Sequence, residues 1–88
     1  MFRMWGKIFK QNRLIQDTVI CIDDETLSRT AKVFQAVNDI CLEFDLSQPI
    51  WLDTNIREFQ AHNKTRFHSD HFVESIDFDF LEVHLIEE

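Results

Sequence analysis

Between Leu27 and Phe44 one apolar stripe recurs at helical spacing, while the segments on both sides of it follow a different rhythm. Leu27, Thr30, Phe34, Val37, Cys41 and Phe44 alternate steps of three and four. Val33 and Ile40 widen the stripe to the arc of about 100° that a core-facing helix needs. Arg29, Lys32, Gln35, Asn38, Asp39 and Glu43 fall mainly on the other side. Just upstream, Asp23 or Asp24 can cap the free N–H groups, and Asp23-Asp24-Glu25 faces the positive end of the helix dipole. A helix with one apolar face must bury it against another layer. The flanking segments supply that layer as strands.

Thr18-Val19-Ile20-Cys21-Ile22 is largely β-branched and needs a partner strand. Residues 1–10 read in two ways. As a helix, Met1, Phe2, Trp5, Ile8 and Phe9 oppose Arg3, Lys7 and Lys10, a cationic amphipathic pattern of the kind that lies on anionic membranes. As a strand, Phe2, Met4, Gly6 and Ile8 share one face. Gly6 costs a helix interior about 1 kcal/mol, and Gln11-Asn12 offers a two-residue hairpin turn, so the strand is preferred. That turn sets Lys10 against Arg13, Ile8 against Ile15, Gly6 against Asp17 and Met4 against Val19. The apolar face of the hairpin then holds Phe2, Met4, Ile8, Ile15, Val19 and Cys21. Gln at the first turn position does not favour positive φ, which leaves a one-residue shift of register open.

After the long helix, Leu46 to Pro49 breaks the pattern, because Pro49 disfavours helix at Gln48. Asp53 or Asn55 starts a shorter helix, Thr54 to about His62, with Ile56 and Phe59 inward. Residues 63–69 read as a loop of mixed charge, and Ser69 caps a single turn with Phe72 and Val73. The last strand runs from Ser75 to Ile86. Ile76, Phe78 and Phe80 alternate with Asp77 and Asp79, then the phase flips to Leu81, Val83 and Leu85, which implies a bulge or a centre buried on both faces. The first sixteen residues carry four bases and no acid, and the last seventeen carry six acids and no base. The two end strands therefore pair, with Arg3 and Lys7 facing Asp77 and Asp79. The expected fold is one α+β domain, residues 1–88, with topology ββααβ. A three-stranded antiparallel sheet, order 2-1-3, carries the long amphipathic helix and the shorter one.

Composition narrows the function. A chain of 88 residues with net charge −7 lacks the clustered cations that neutralise phosphates, so nucleic acid is not an expected partner. One Gly in the whole chain rules out a phosphate-cradling glycine loop, and no catalytic motif is present. The expectation is a non-enzymatic protein with no cofactor. Cys21 and Cys41 sit among apolar residues and read as two buried, reduced thiols. No export signal and no apolar run of about 20 residues is present, so the cytoplasm is the expected location and a membrane is not an expected partner.

Two groups of residues stand out. Nine Phe and two Trp in a chain without Tyr suit a dry core or a dry interface. Trp5, Phe9, Trp51, Phe67 and Phe72 lie off the long helix and are the candidates for contact with a protein partner or a second copy. The segment His62 to His71 gathers the remaining candidates. Arg57, Lys64 and Arg66 could hold an anion. His68 and His71, three apart, could share a face for a metal, with His62 or Asp70 completing the set. Against both stands a plain solvated loop.

The stretches RMWGKIFKQNRLIQDTVI, CLEFDLSQPIWLDTNIREF and KTRFHSDHFVESIDFDFLEVHLIEE together resemble a small bacterial protein family of unknown function. The resemblance covers nearly the whole chain. It implies a complete, free-standing bacterial protein and assigns no activity to any residue.

Overall fold

Gln11 and Asn12 both adopt positive φ, 52° and 63°, the left-handed pair that a two-residue hairpin turn needs to match the twist of its strands. The turn joins β1 (Phe2–Lys10) to β2 (Arg13–Ile22) in the computed structural model, which describes residues 1–88. The N-terminal segment is therefore a strand, and the amphipathic membrane helix does not form. α1 (Arg29–Glu43) and α2 (Asp53–His62) follow, then β3 (Lys64–His68), a 3-10 turn at Ser69–His71, and β4 (Phe80–Glu87). No helix is long and apolar enough to cross a membrane.

The sheet has four antiparallel strands in the order β2-β1-β4-β3, which corrects the three-stranded ββααβ expectation. The additional strand is the segment read as a charged loop. Asn63, in the left-handed region at φ 59°, ends α2 and turns the chain directly into β3. There Thr65 and Phe67 point into the core while Lys64, Arg66 and His68 face water. Charges on the outer face of a short edge strand block further pairing, and they also hid the strand. β4 begins only at Phe80, so the phase flip marks the entry to a strand rather than a bulge within one.

A bulge lies elsewhere. The β1–β2 register shifts between Ile8 and Phe9, which leaves Ile15 without a partner and pairs Ile8 with Gln16, Gly6 with Thr18 and Met4 with Ile20. The slip turns Ile20 and Ile22 toward the helices. Ile15, Val19 and Cys21 become exposed, contrary to the expected hairpin face. Cys41 alone is the buried thiol, and burial pushes its pKa up to about 11.

Both helices pack on one face of the sheet. α1 starts later than expected because Asp24 accepts from the N–H and hydroxyl of Thr26 in a local turn, and Ser28 caps the helix through Ala31 N–H. Its buried residues are Val33, Ala36, Val37, Ile40 and Cys41. The helix lies so close to β1 that a Cβ added at Gly6 would sit 2.6 Å from Ile40 Cγ2. Ile40 is fully buried and has no room to yield. Gly6→Val is expected to cost about 1–3 kcal/mol by overpacking, measured as a lower urea midpoint. Ile40→Ala in the same chain should recover part of that loss, and an unchanged midpoint in Gly6→Val would contradict the contact.

β1 and β4 are neighbours, but not through the expected acids. Lys7 pairs with Glu82 at 2.9 Å and Arg3 with Glu87 at 2.7 Å. Asp79 instead accepts the N–H of Gln11 at 2.8 Å, tying the approach to β4 to the hairpin turn. Arg29 takes Glu88 at 2.7 Å and anchors the C-terminus to α1.

Candidate functional site

Trp51 lies in the extended link between the helices and packs edge-on against three rings. The centroid distances are 5.5 Å to Phe34, 5.8 Å to Phe59 and 5.1 Å to Phe67. Phe67 and Phe59 are core residues, whereas Phe34 on α1 is 47% exposed and Ile56 on α2 is 42% exposed. With Val33 and Phe59 these side chains line a groove of about 220 Å³ between α1 and α2, bordered by Arg29. Ile50 and Leu52, on either side of Trp51 in the chain, are also exposed. Single exposed apolar residues are ordinary, but several converging on one concavity are not.

Of the aromatic candidates, only Trp51 stands at this groove. Phe67 and Phe72 are buried in the core and have no surface to offer, so they are withdrawn as contact residues. Trp5 and Phe9 lie on the sheet face away from the helices, but their rings are occupied. Trp5 donates its indole N–H to Asp17 at 2.9 Å, and Lys7 Nζ sits 3.9 Å from its ring centroid. Phe9 stacks on Phe80 at 5.1 Å, beside Arg66, whose guanidinium lies 4.5 Å from the Phe80 centroid. The apolar pattern of the sequence places Phe34 and Ile56 in the core, whereas both are exposed. Phe34 sits about 90° from the centre of the buried arc of α1, at 3.6 residues per turn, and that offset is the signal that marks it as an edge residue.

A second concavity, about 230 Å³, is wholly polar and is lined by Glu58, His62, Lys64, Thr65, Arg66 and Glu82. It brings together Lys64 and Arg66 of the anion set with His62, whereas Arg57 is not part of it. The two carboxylates are engaged. Glu58 accepts the Thr65 hydroxyl at 2.7 Å, and Glu82 bridges Lys7 and Arg66, each at 2.9 Å. Beneath the pocket, Asn55 donates to Thr65 Oγ1 at 2.9 Å and to the Arg66 carbonyl at 3.1 Å, fixing α2 to β3. The proposed metal set does not assemble. His68 donates its backbone N–H to Nδ1 of the buried His71 at 2.9 Å, and no group of three His, Cys, Asp or Glu side chains is placed to hold a metal ion. Asp70 is exposed with its Oδ1 3.1 Å from His71 Nδ1, the nitrogen that already accepts the His68 N–H, and His62 belongs to the polar pocket, so His62, His68, Asp70 and His71 are not a ligand set.

No family model, curated protein or solved structure matches this chain.

Two groups near the polar pocket titrate abnormally, and both favour neutral over acidic solution. Burial of Glu82 alone would raise its pKa, but the hydrogen bonds and charges of Lys7 and Arg66 outweigh it and hold the carboxyl below the usual 4.5. His84 lies below its usual 6.5, chiefly through burial and then through the charges of Lys7 and Lys64, partly offset by Glu82. In each case the unfolded chain takes up the proton first, so stability falls as pH falls. The His84 contribution is complete above pH 6.5 and is lost through its lowered folded pKa; the Glu82 contribution is lost below the usual carboxylate range. Urea midpoints should decline as pH falls from neutral through the His84 window, and His84→Asn should flatten that part of the profile while leaving the acid limb.

Proposed function

We propose that this protein is a non-enzymatic interaction module that receives an apolar segment of a partner protein in the groove between α1 and α2. The observation that supports it is the convergence of Phe34, Trp51 and Ile56 on one open concavity in a fold whose core is otherwise closed. Grooves of this kind take an amphipathic helix through side chains spaced three or four apart. Trp51, half-buried on a bed of Phe59 and Phe67, is a preorganised anchor of the type that dominates binding energy. Phe34→Asp and Ile56→Asp change exposed side chains and leave the buried face of α1 intact. Affinity capture from host extract should retain a partner on the wild-type chain and lose it on either variant. The same proteins retained by all three chains would overturn the reading.

A second reading, binding of a small anion, is supported by the polar pocket. Lys64 makes no ion pair within the chain, and Arg66 spends only its Nε on Glu82. Inorganic phosphate titrated against the His62 ring resonances tests it; peaks that do not move end it.

A further inference from the structure

The two edges of the sheet are built differently. β3 is five residues long and carries Lys64 and Arg66 on its outer face, a standard defence against edge pairing. β2 is ten residues long and contains no Pro, Gly or Lys. It has no neighbour on its outer side, so a full row of backbone groups is unpaired there. Leu14, Ile15 and Val19 along it are 46%, 54% and 44% exposed. Its one irregularity, the bulge at Ile15, lies near the hairpin end and leaves Gln16–Ile22 regular.

The ends of β2 are also oppositely charged. Lys10 and Arg13 stand at its start and Asp23, Asp24 and Glu25 follow its end. None of Lys10, Arg13, Asp23 and Glu25 makes an ion pair within the chain. An antiparallel strand laid on this edge complements it only if it too runs from basic to acidic. A second copy of β2 does so by symmetry. With Val19 on the two-fold axis, Gln16–Ile22 of one copy pairs with Ile22–Gln16 of the other, and the basic end of each strand meets the acidic end of its mate. We infer that the chain forms a symmetric dimer through β2, joining two four-stranded sheets into one of eight. The surface is distinct from the α1–α2 groove and leaves that groove open.

Sedimentation equilibrium on the full chain over roughly 1–100 µM, the range in which a dimer of micromolar Kd dissociates, tests it. The expected mass at low salt is twice the 10.6 kDa of the chain, with dissociation promoted by salt. Val19→Lys places like charges opposite each other on the axis and should weaken the dimer about tenfold or more. Arg13→Glu should weaken it as well, and adding Glu25→Lys to Arg13→Glu should restore it, an outcome that loss of folding cannot mimic. A monomer at every concentration overturns the inference. So does a dimer that survives Val19→Lys and is lost in Phe34→Asp, which would place the contact in the groove.

Discussion

Phe67→Ala is expected to destabilise the protein by about 3–5 kcal/mol, the loss typical of truncating a fully buried Phe. Phe67 is fully buried in β3, packs edge-on against Trp51 at 5.1 Å and meets the His71 ring at 5.7 Å. Its removal would open a cavity where the sheet, α2 and the linker meet, and none of these can close it alone. For a domain of this size each kcal/mol lowers the melting temperature by roughly 4–8 °C, so the change should be obvious in a thermal melt. A loss below about 1 kcal/mol would mean that Phe67 lies on the surface, as a contact residue would, and that β3 is not part of the sheet.

The next largest effect is expected at Glu82. Its side chain is 8% exposed and that of Lys7 12%, although both lie on the face of the sheet that no helix covers. Trp5, Arg66 and Phe80 surround them. Glu82→Ala leaves the Lys7 ammonium enclosed without a counter-charge and should cost about 3 kcal/mol, the low end for breaking a buried pair. The low end applies because Arg66 is 56% exposed and can turn to water. Replacing both partners, Lys7→Met with Glu82→Leu, should be close to neutral, since neither charge then remains to be solvated. Denaturant midpoints of Glu82→Ala and of the double variant decide this. A Glu82→Ala chain within about 0.5 kcal/mol of wild type would show that water screens the pair and that the aromatic and cationic side chains do not enclose it.

How much of this was legible in the sequence depends on what each residue faces. α1 was legible because its buried and exposed residues separate cleanly at helical period. Its boundary was not, because Asp24 caps a local turn with Thr26 rather than the helix, and three acids in a row look alike as caps. β3 carried its own signal, Lys-Thr-Arg-Phe-His alternating outward and inward, yet three charged or titratable residues out of five outweigh two inward ones in any average. The bulge at Ile15 was invisible, since both faces of the strand carry apolar residues: Ile15, Val19 and Cys21 on one, Ile20 and Ile22 on the other. Within the candidate sites, the clustering of His62, Lys64 and Arg66 followed from their closeness in the chain. Glu82 sits inside an apolar run whose average hides one residue facing the other way, whereas Phe34 fits the three-four spacing of α1 and is set apart only by its place at the edge of the buried arc. Glu82 could have been found as the single carboxylate in step with Phe80 and His84 along β4.

The most direct test of the interaction reading is site-specific photocrosslinking in the host cell. A benzophenone-bearing phenylalanine analogue at position 34 keeps an aromatic ring at the mouth of the groove, and the same analogue at position 73 replaces the most exposed apolar side chain, Val73 at 85%, outside it. The groove reading predicts a discrete crosslinked partner from position 34 and none from position 73. No adduct from position 34, or the same adducts from both, would contradict it.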